Sequence, residues 1–546
     1  MPPAGQTLRD ASPHTEAMQR DLAGSSVDAL GKQAAAIAAA WSAGARASTT
    51  VGQERAALRL LGVSGVDRDG RPLAASVLDR YLAPDARRLC GGITLPMAVA
   101  MAEYDLSILE VALEVAAGNI DLGLEAELLE DPERRARAHR SASAMATAAL
   151  ARADANRTAR RELVALLGEP RRPLLGVTLE SPAVVDAADE AVAAIAAGAG
   201  AIRVLVPPSR ELADLSARSG THVEPWHPAP GSRGGLANFD PAGSPVPTGA
   251  HRALLVLRAV LDDAGARNGR YVRLVTESPA LAAPDQAVIA AFERVDLVIA
   301  DPLREIVSGL VDPDRALADH AFAHRLLARG GTRVLVPASS LVVASDLANG
   351  FPSDPATRSG RALALQLLAV SLALADGLLP DSVVVGALPA WLGEEPRAPA
   401  RAVAEVALRR ELFPSHRMAF LEPDSALVNE WHALVAGVLP DAGDVKLLLC
   451  CGSTGFAARA SALRAAVDVA GAIALSRSRP VLTGLAAEHR EATLAVAAET
   501  LEGLADRGWR WLVDEPFGIP TVRIGAEAVA DRTSDFDVLA PGTARG

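Results

Sequence analysis

Eight short apolar segments, each followed by a longer amphipathic stretch, set the pattern of the chain from residue 174 onward. Each segment has the length of a buried strand, and the stretches between them have helical periodicity. Strands that alternate with helices pair in parallel through right-handed crossovers. Eight such units predict an α/β fold, a closed TIM-type (β/α)8 barrel, and an open doubly wound sheet is the alternative. The segments are residues 174–180, 201–206, 271–277, 296–301, 332–338, 382–388, 416–422 and 445–451.

The sequence on either side of these units indicates helices. Apolar residues recur at helical spacing within residues 95–120 and again within 142–167, and helical segments also follow the eighth predicted strand. We therefore expect three regions. They are an N-terminal helical region (1–170), the barrel (171–480), and a C-terminal helix and tail that pack on the barrel (481–546).

Charge and cysteine content exclude several classes of function. A net charge of -12 and a pI near 5.4 argue against a nucleic-acid partner, because phosphate backbones are bound by cationic surfaces. Cys90, Cys450 and Cys451 are too few for a disulfide scaffold, which fits a reducing compartment. No signal-peptide pattern and no apolar stretch of membrane-spanning length is present, so we expect a cytoplasmic protein without a membrane partner.

Two histidines, His320 and His324, stand one helical turn apart. That spacing can bind a metal ion, but the sequence offers no third ligand for the pair. We therefore expect no metal site.

The connection between the second and third predicted strands is unusually long. Residues 210–250 are polar and rich in glycine and proline, and an ordered loop of this length is usually functional. We expect this loop, which contains His222, Trp226 and His227, to cover the barrel mouth.

Charged side chains within two predicted strands mark the expected cavity. Arg273 and Glu277 share one face of the third strand because side chains alternate with a period of two, and Arg203 lies among apolar residues in the second. A charge inside a strand is unfavourable unless it is paired or faces a polar cavity. These three residues are therefore cavity candidates, and an amphipathic outer surface is the alternative.

Lysine is almost absent from the chain, which contains only Lys32 and Lys446. Lys446 falls near the start of the eighth predicted strand. That end of a barrel normally serves stability, whereas the loops after the strands carry catalysis. We therefore expect Lys446 to be structural, and a self-sufficient lyase or aldolase that uses it as an amine is the alternative.

Four long segments give the sequence a family resemblance. In their order along the chain, they resemble the large α subunit of lysine 5,6-aminomutase, and the large component of ornithine 4,5-aminomutase is a close relative. The segments are residues 48–67, 269–307, 312–336 and 352–389.

The resemblance implies an isomerase that moves the terminal amino group of lysine or β-lysine by a radical mechanism. The barrel of such a subunit holds pyridoxal 5'-phosphate, and a smaller β subunit carries adenosylcobalamin and supplies the Schiff-base lysine. The scarcity of lysine and the absence of a DxHxxG cobalt-binding motif fit this division of labour. Two alternatives stay open, namely an ornithine 4,5-aminomutase-type component and a non-catalytic assembly or regulatory subunit that retains the barrel.

The same resemblance assigns roles to individual residues. Asp301 and Arg273 match positions that hold the amino and carboxylate groups of the substrate, and Glu277 joins them as a catalytic candidate from its place in the strand. The residues expected to receive the cofactor phosphate are Arg203, Ser209, Ser244 and Thr248.

An aromatic ring against the cofactor pyridine is the family feature that the sequence does not supply clearly. Tyr271 is the tyrosine within the predicted barrel segments. It begins the third predicted strand, which places it at the amino end of the barrel and not at the carboxyl end, where the site is expected. Trp226 in the long loop is the alternative.

Overall fold

A computed structural model describes most of the chain. The described residues are 13–169, 174–179, 184–204, 249–278, 281–307, 311–338, 354–387, 398–421, 446–450, 479–509, 511 and 529–541. The α-helices of these ranges are α1 (Pro13–Ala47), α2 (Val51–Leu60), α3 (Leu73–Leu82), α4 (Thr94–Tyr104), α5 (Ile108–Ala117), α6 (Leu122–Glu127), α7 (Pro132–Leu167), α8 (Val184–Ala196), α9 (Gly249–Arg267), α10 (Ala283–Phe292), α11 (Pro302–Val307), α12 (Pro313–Gly330), α13 (Pro355–Ala375), α14 (Ala398–Leu412) and α15 (Arg479–Arg507). The strands are β1 (Ser48–Thr50), β2 (Leu174–Thr178), β3 (Ala201–Val204), β4 (Arg273–Glu277), β5 (Leu297–Ile299), β6 (Arg333–Val336), β7 (Val383–Gly386), β8 (Arg417–Leu421), β9 (Lys446–Cys450) and β10 (Val529–Asp531).

Strands β2 to β9 form a closed parallel barrel. Each strand pairs with the next in sequence, and β9 pairs in parallel with β2, so the barrel has no free edge. All eight apolar segments predicted as strands contain one. The (β/α)8 prediction is therefore confirmed, and the open doubly wound alternative is wrong.

The barrel interior is filled by small and medium apolar side chains. Inward-facing positions alternate along each strand, as the pleat requires. Their packing makes the centre of the barrel a solid core rather than a channel. The buried cluster consists of Leu174, Ala201, Val275, Leu297, Ile299, Leu335, Val384 and Ala419.

The N-terminal helices have a core of their own and are tied to the barrel by a buried arginine. Residues of α2 to α6 form a separate apolar cluster. From α7, the Arg160 guanidinium donates to the carbonyl oxygens of Val295 at 2.8 Å and Gly331 at 2.7 Å, just before strands β5 and β6. These bonds satisfy carbonyl groups where the chain enters the barrel. The predicted division at residues 170 and 480 stays a prediction.

The chain end returns to the N-terminal helices. Strand β10 pairs antiparallel with β1, with Thr49 opposite Ala530. The C-terminal helix expected within residues 481–546 is α15, which begins at Arg479 and packs on α13. None of the helices in the described ranges combines the length and apolar character needed to cross a bilayer.

A buried ion pair and an amide connect the outer helices to the strand ends. Arg409 of α14 pairs with Glu405, which also contacts His489 of α15 at 2.9 Å. Burial alone would raise the pKa of Glu405, but the charge of Arg409 and the hydrogen bonds of His489 and Ser359 lower it to about 2. Arg409 also donates to Gln366, whose amide donates to the Gly386 carbonyl at 2.9 Å. The carboxyl end of β7 is thereby held by a polar chain that runs through two helices.

Close packing of α13 on α15 provides a test of this architecture. A Cβ on Gly360 would lie 2.5 Å from the Val496 Cβ and 2.7 Å from the Thr493 carbonyl oxygen. We expect Gly360→Ala to lower the free energy of unfolding by about 1–3 kcal/mol, because an overpacked helix interface must separate. Denaturant titration measures this change. Gly31→Ala in α1 is the matched control, since that site has open space around it and should be neutral or stabilising by up to about 1 kcal/mol. Equal stability of Gly360→Ala and wild type would contradict the close contact.

Candidate functional site

An ion pair between Arg203 and Glu277 lies at the carboxyl end of the barrel. Arg203 is the third residue of β3 and Glu277 is the last residue of β4, and the arginine Nη2 pairs with the glutamate Oε1. Both side chains are 8% exposed. The inward face of β4 carries Val275 and Glu277, so the pair sits above the apolar core. A buried pair of this kind requires both partners, because either charge left alone would be strongly unfavourable.

Two buried hydroxyl groups lie near this ion pair. Thr178 ends β2 opposite Arg203 in the strand register, and Ser278 directly follows Glu277. Within the described part of the chain, neither Thr178 Oγ1 nor Ser278 Oγ has a hydrogen-bond partner. Buried hydroxyls normally have one, and such exceptions are often found at ligand sites. With the Arg203 guanidinium, these hydroxyls are hydrogen-bond donors at the carboxyl ends of β2, β3 and β4, of the kind that suits an oxygen-rich anionic group.

Asp301 occupies the carboxyl end of β5 and is 3% exposed. Its Oδ1 accepts hydrogen bonds from the backbone nitrogens of Leu303 at 3.0 Å and Arg304 at 3.3 Å. Asp301 therefore orients itself as the N-terminal cap of α11. Burial raises the pKa of Asp301, although the charge of Arg304 and the backbone donors act in the opposite direction.

A histidine and a glutamate lie behind Asp301. His320 Nε2 is 2.9 Å from Glu305 Oε1, and both residues are buried. Burial would lower the pKa of His320, but Glu305 and then Asp301 outweigh burial, so its pKa is raised. His324 instead contacts Asp376 at 2.9 Å. The two histidines thus form hydrogen bonds with different carboxylates.

No metal-binding group is seen in the residues that the structure describes. In those ranges, no three or more His, Cys, Asp or Glu side chains are arranged to hold an ion.

Arg273 lies at the opposite end of the barrel from the other candidates. It is the first residue of β4, and its guanidinium pairs with Glu169 beside the amino-terminal mouth. The register is consistent with the prediction that Arg273 and Glu277 face the interior. They are, however, the first and last residues of the five-residue strand β4, so they lie at opposite mouths of the barrel. This position argues against the expected contact between Arg273 and the substrate carboxylate.

The remaining sequence-based expectations divide by location. Tyr271 lies at the amino end, as expected, where its hydroxyl is 3.0 Å from Asp296 Oδ1, so it does not face the carboxyl-end site. Lys446 is the first residue of β9, also as expected. Other predicted positions lie outside the described residues. They are Ser209, Ser244, Thr248, His222, Trp226, His227 and the long loop that holds them.

Sequence reasoning missed Thr178 and the contact of His320 with Glu305. Thr178 could have been predicted from the sequence, because a period of two that starts at Leu174 places Thr178 on the inward face of β2. The histidine contact carried no sequence signal, since it joins α11 to α12 through tertiary packing.

Comparisons with known proteins agree with this architecture. A family model described as the D-lysine 5,6-aminomutase TIM-barrel domain of alpha subunit matches residues 20–228 and 242–431. A lysine 5,6-aminomutase alpha subunit from Acetoanaerobium sticklandii is 25% identical over 376 residues, which cover 69% of this chain and 66% of that protein. A protein of the same name from Fusobacterium nucleatum is 25% identical over 379 residues, with the same coverage. The chain thus spans just under two thirds of the length of these relatives.

Because the pKa of Asp301 is raised, we expect the loss of its carboxylate to stabilise the folded chain at high pH. A carboxyl whose pKa is higher in the folded than in the unfolded state adds stability at low pH, and this contribution is lost as the pH rises through the folded pKa. We expect Asp301→Asn, which can still cap α11, to be more stable than wild type at pH 8. The difference should shrink at pH 4 to 5. Thermal unfolding at both pH values measures it, and a less stable variant at pH 8 would contradict the unfavourable burial of this carboxylate.

Proposed function

Because this chain belongs to the lysine 5,6-aminomutase α-subunit family, we propose that it is the large subunit of an aminomutase dependent on pyridoxal phosphate and adenosylcobalamin. The reaction is the 5,6-shift of the terminal amino group of lysine or β-lysine. The observation that carries this proposal is the family match, which extends through seven of the eight barrel strands. The content of cysteine and the charge of the chain fit a cytoplasmic enzyme.

The carboxyl end of the barrel has the donors that such a cofactor requires. Arg203, Thr178 and Ser278 offer a guanidinium and two hydroxyls to a phosphate or carboxylate, and Glu277 keeps the arginine oriented. When bound, the cofactors supply the radical and the electron sink for the migrating nitrogen. The work of this chain is to bind, to orient and to exclude water around the reacting atoms.

Asp301 is the residue that we assign to the substrate amino group. Its burial at the end of β5 makes its ionised form unfavourable without a cation, which is reflected in the raised pKa. An ammonium group that enters the site would relieve this penalty through a charge-assisted hydrogen bond. The backbone donors of α11 hold one carboxylate oxygen, so the other is oriented for the substrate. Binding of a cationic amine is thereby favoured over that of a neutral analogue.

The location of the two lysines supports a second chain as the source of the Schiff-base amine. Lys32 lies in α1, outside the barrel, and Lys446 begins β9 at the amino end. Neither position is at the carboxyl mouth, where Arg203 and Asp301 lie. A smaller, cobalamin-binding β subunit would therefore contribute the lysine from outside this polypeptide.

Reconstitution with the cobalamin-binding partner tests the proposal. We expect turnover of lysine or β-lysine by the complex, and a loss of about 10- to 100-fold in kcat/KM for Asp301→Asn, because a charged hydrogen bond to the substrate is removed. Arg87→Gln is the control, since Arg87 is a 90%-exposed surface residue that pairs with Asp85. Its activity should match wild type.

The outcomes separate the alternatives. Turnover of ornithine in place of lysine would assign the chain to the ornithine 4,5-aminomutase type. Partner binding without turnover of any basic amino acid, and without the absorbance of bound pyridoxal phosphate, would contradict catalysis and favour an assembly subunit. Borohydride trapping of an adduct on Lys446 would contradict the proposal that a second chain supplies the Schiff-base lysine.

A further inference from the structure

A buried histidine reaches the helix that Asp301 caps. Glu305 is the fourth residue after Asp301, so the two carboxylates occupy neighbouring positions at the start of α11. His320 of α12 places its Nε2 2.9 Å from Glu305 Oε1, and neither side chain is more than 4% exposed. In the part of the chain that the structure describes, the other ring nitrogen has no hydrogen-bond partner. The contact with Glu305 therefore sets the orientation of the ring.

This hydrogen bond fixes α11 against α12. Helix α11 has six residues, and a helix of that length depends on tertiary contacts for its position. Its residues Leu303, Ile306 and Val307 are buried among apolar groups, and Glu305 adds a polar contact. Because backbone nitrogens of α11 bind Asp301 Oδ1, any movement of the helix would also move the Asp301 carboxylate.

The groups around His320 favour a positive charge on its ring. Burial lowers the pKa of His320, but Glu305, and then Asp301 and Asp319, raise it by a larger amount. Asp319 also lies 3.5 Å from Arg315, within α12. Carboxylates of α11 and α12 thus make the ring easier to protonate than an exposed histidine.

The neighbouring histidine leaves this charge on His320. The ring centroids of His320 and His324 are 5.7 Å apart. Burial lowers the pKa of His324, Asp376 acts in the opposite direction, and the charge of His320 lowers it again. Two imidazolium ions at this separation repel each other, so one positive charge is favoured. It lies on the ring that contacts α11.

We propose that His320, held by Glu305, is a positioning residue for Asp301. Its ring supplies a positive charge behind the buried carboxylate and fixes the helix that the carboxylate caps. Arg304 acts on the same carboxylate from α11, and His320 acts on it from α12. Positive charges favour the ionised form of a buried carboxyl group. The inference rests on the proposed function, in which ionised Asp301 receives the substrate ammonium group.

The pH dependence of the complex reconstituted with its cobalamin-binding partner tests this role. His320→Gln keeps an amide donor close to the place of Nε2 but removes the charge, so Asp301 should protonate more readily. We expect kcat/KM to fall about tenfold at pH 6 and about twofold or less at pH 8.5, where Asp301 is ionised in both proteins. A residue that only supports the fold would not produce a loss that depends on pH.

His324→Asn is the matched control for this experiment. It removes a buried histidine from the same helix, and the asparagine amide can replace Nδ1 as the partner of Asp376. Its kcat/KM should change by the same factor at both pH values, because the charge behind Asp301 is kept.

Histidine titration in the full-length chain tests the same coupling without catalysis. Coupling is reciprocal, so if His320 favours the charge on Asp301, then Asp301 favours the charge on His320. NMR of the chain labelled at its histidine rings should show one histidine in Asp301→Asn that titrates at lower pH than in wild type. Arg87→Gln, which removes an exposed surface charge, should leave all ten histidines unchanged.

Two results would overturn the proposal. One is a change in kcat/KM of His320→Gln that is absent or equal at pH 6 and pH 8.5. The other is a set of histidine titrations that is the same in Asp301→Asn and wild type. If the wild-type complex turns over no basic amino acid, the proposed function fails, but the titrations still decide whether His320 and Asp301 are coupled. Failure of the inference and failure of the proposed function are therefore distinguishable.

Discussion

Closure of the barrel by the pairing of β9 with β2 is the constraint on which the rest of the structure depends. An eight-stranded barrel is only wide enough inside for its own side chains, so the middle must be apolar and tightly packed. Val275, Ile299 and Leu335 illustrate that filling. Charged residues on the inward faces are therefore displaced to the two mouths. The charged groups divide between a carboxyl-end site with Arg203, Glu277 and Asp301 and the amino end, where Arg273 begins β4 and pairs with Glu169.

Surrounding helices hold both mouths in place through buried polar contacts. At the amino end, Arg160 of α7 binds carbonyl oxygens before β5 and β6. At the carboxyl end, Arg409 orients Gln366, which binds the last carbonyl of β7. Such contacts specify geometry more than they add net stability, because desolvation of the charges offsets much of their attraction. The apolar core thus supplies stability, while the arginines fix where each strand begins and ends.

The sequence predicted the number, order and parallel pairing of the strands, because apolar run length and helical spacing are local properties. The sequence was less successful in predicting how far along its strand each residue lies, and therefore which mouth of the barrel it is near. The third segment was expected to begin at residue 271, but β4 begins at Arg273, and this shift of two residues leaves the inward face unchanged while moving Arg273 to the mouth. The period of two shows which face of a strand a side chain is on, but it does not show how far along the barrel axis that side chain lies. The contact of His320 with Glu305 depends on how α12 packs on α11, which no local pattern encodes.

The carboxyl-end site contains features that a barrel selected for stability alone would lack. Asp301 is buried with a raised pKa, and the hydroxyls of Thr178 and Ser278 have no partner in the described ranges. Unfavourable groups of this kind persist where binding relieves them. On the proposed function, a cationic amine relieves Asp301 and an anionic cofactor occupies the donors near Arg203. Both lysines lie away from this mouth. On the same proposal, the reactive amine comes from a second chain that approaches the carboxyl mouth.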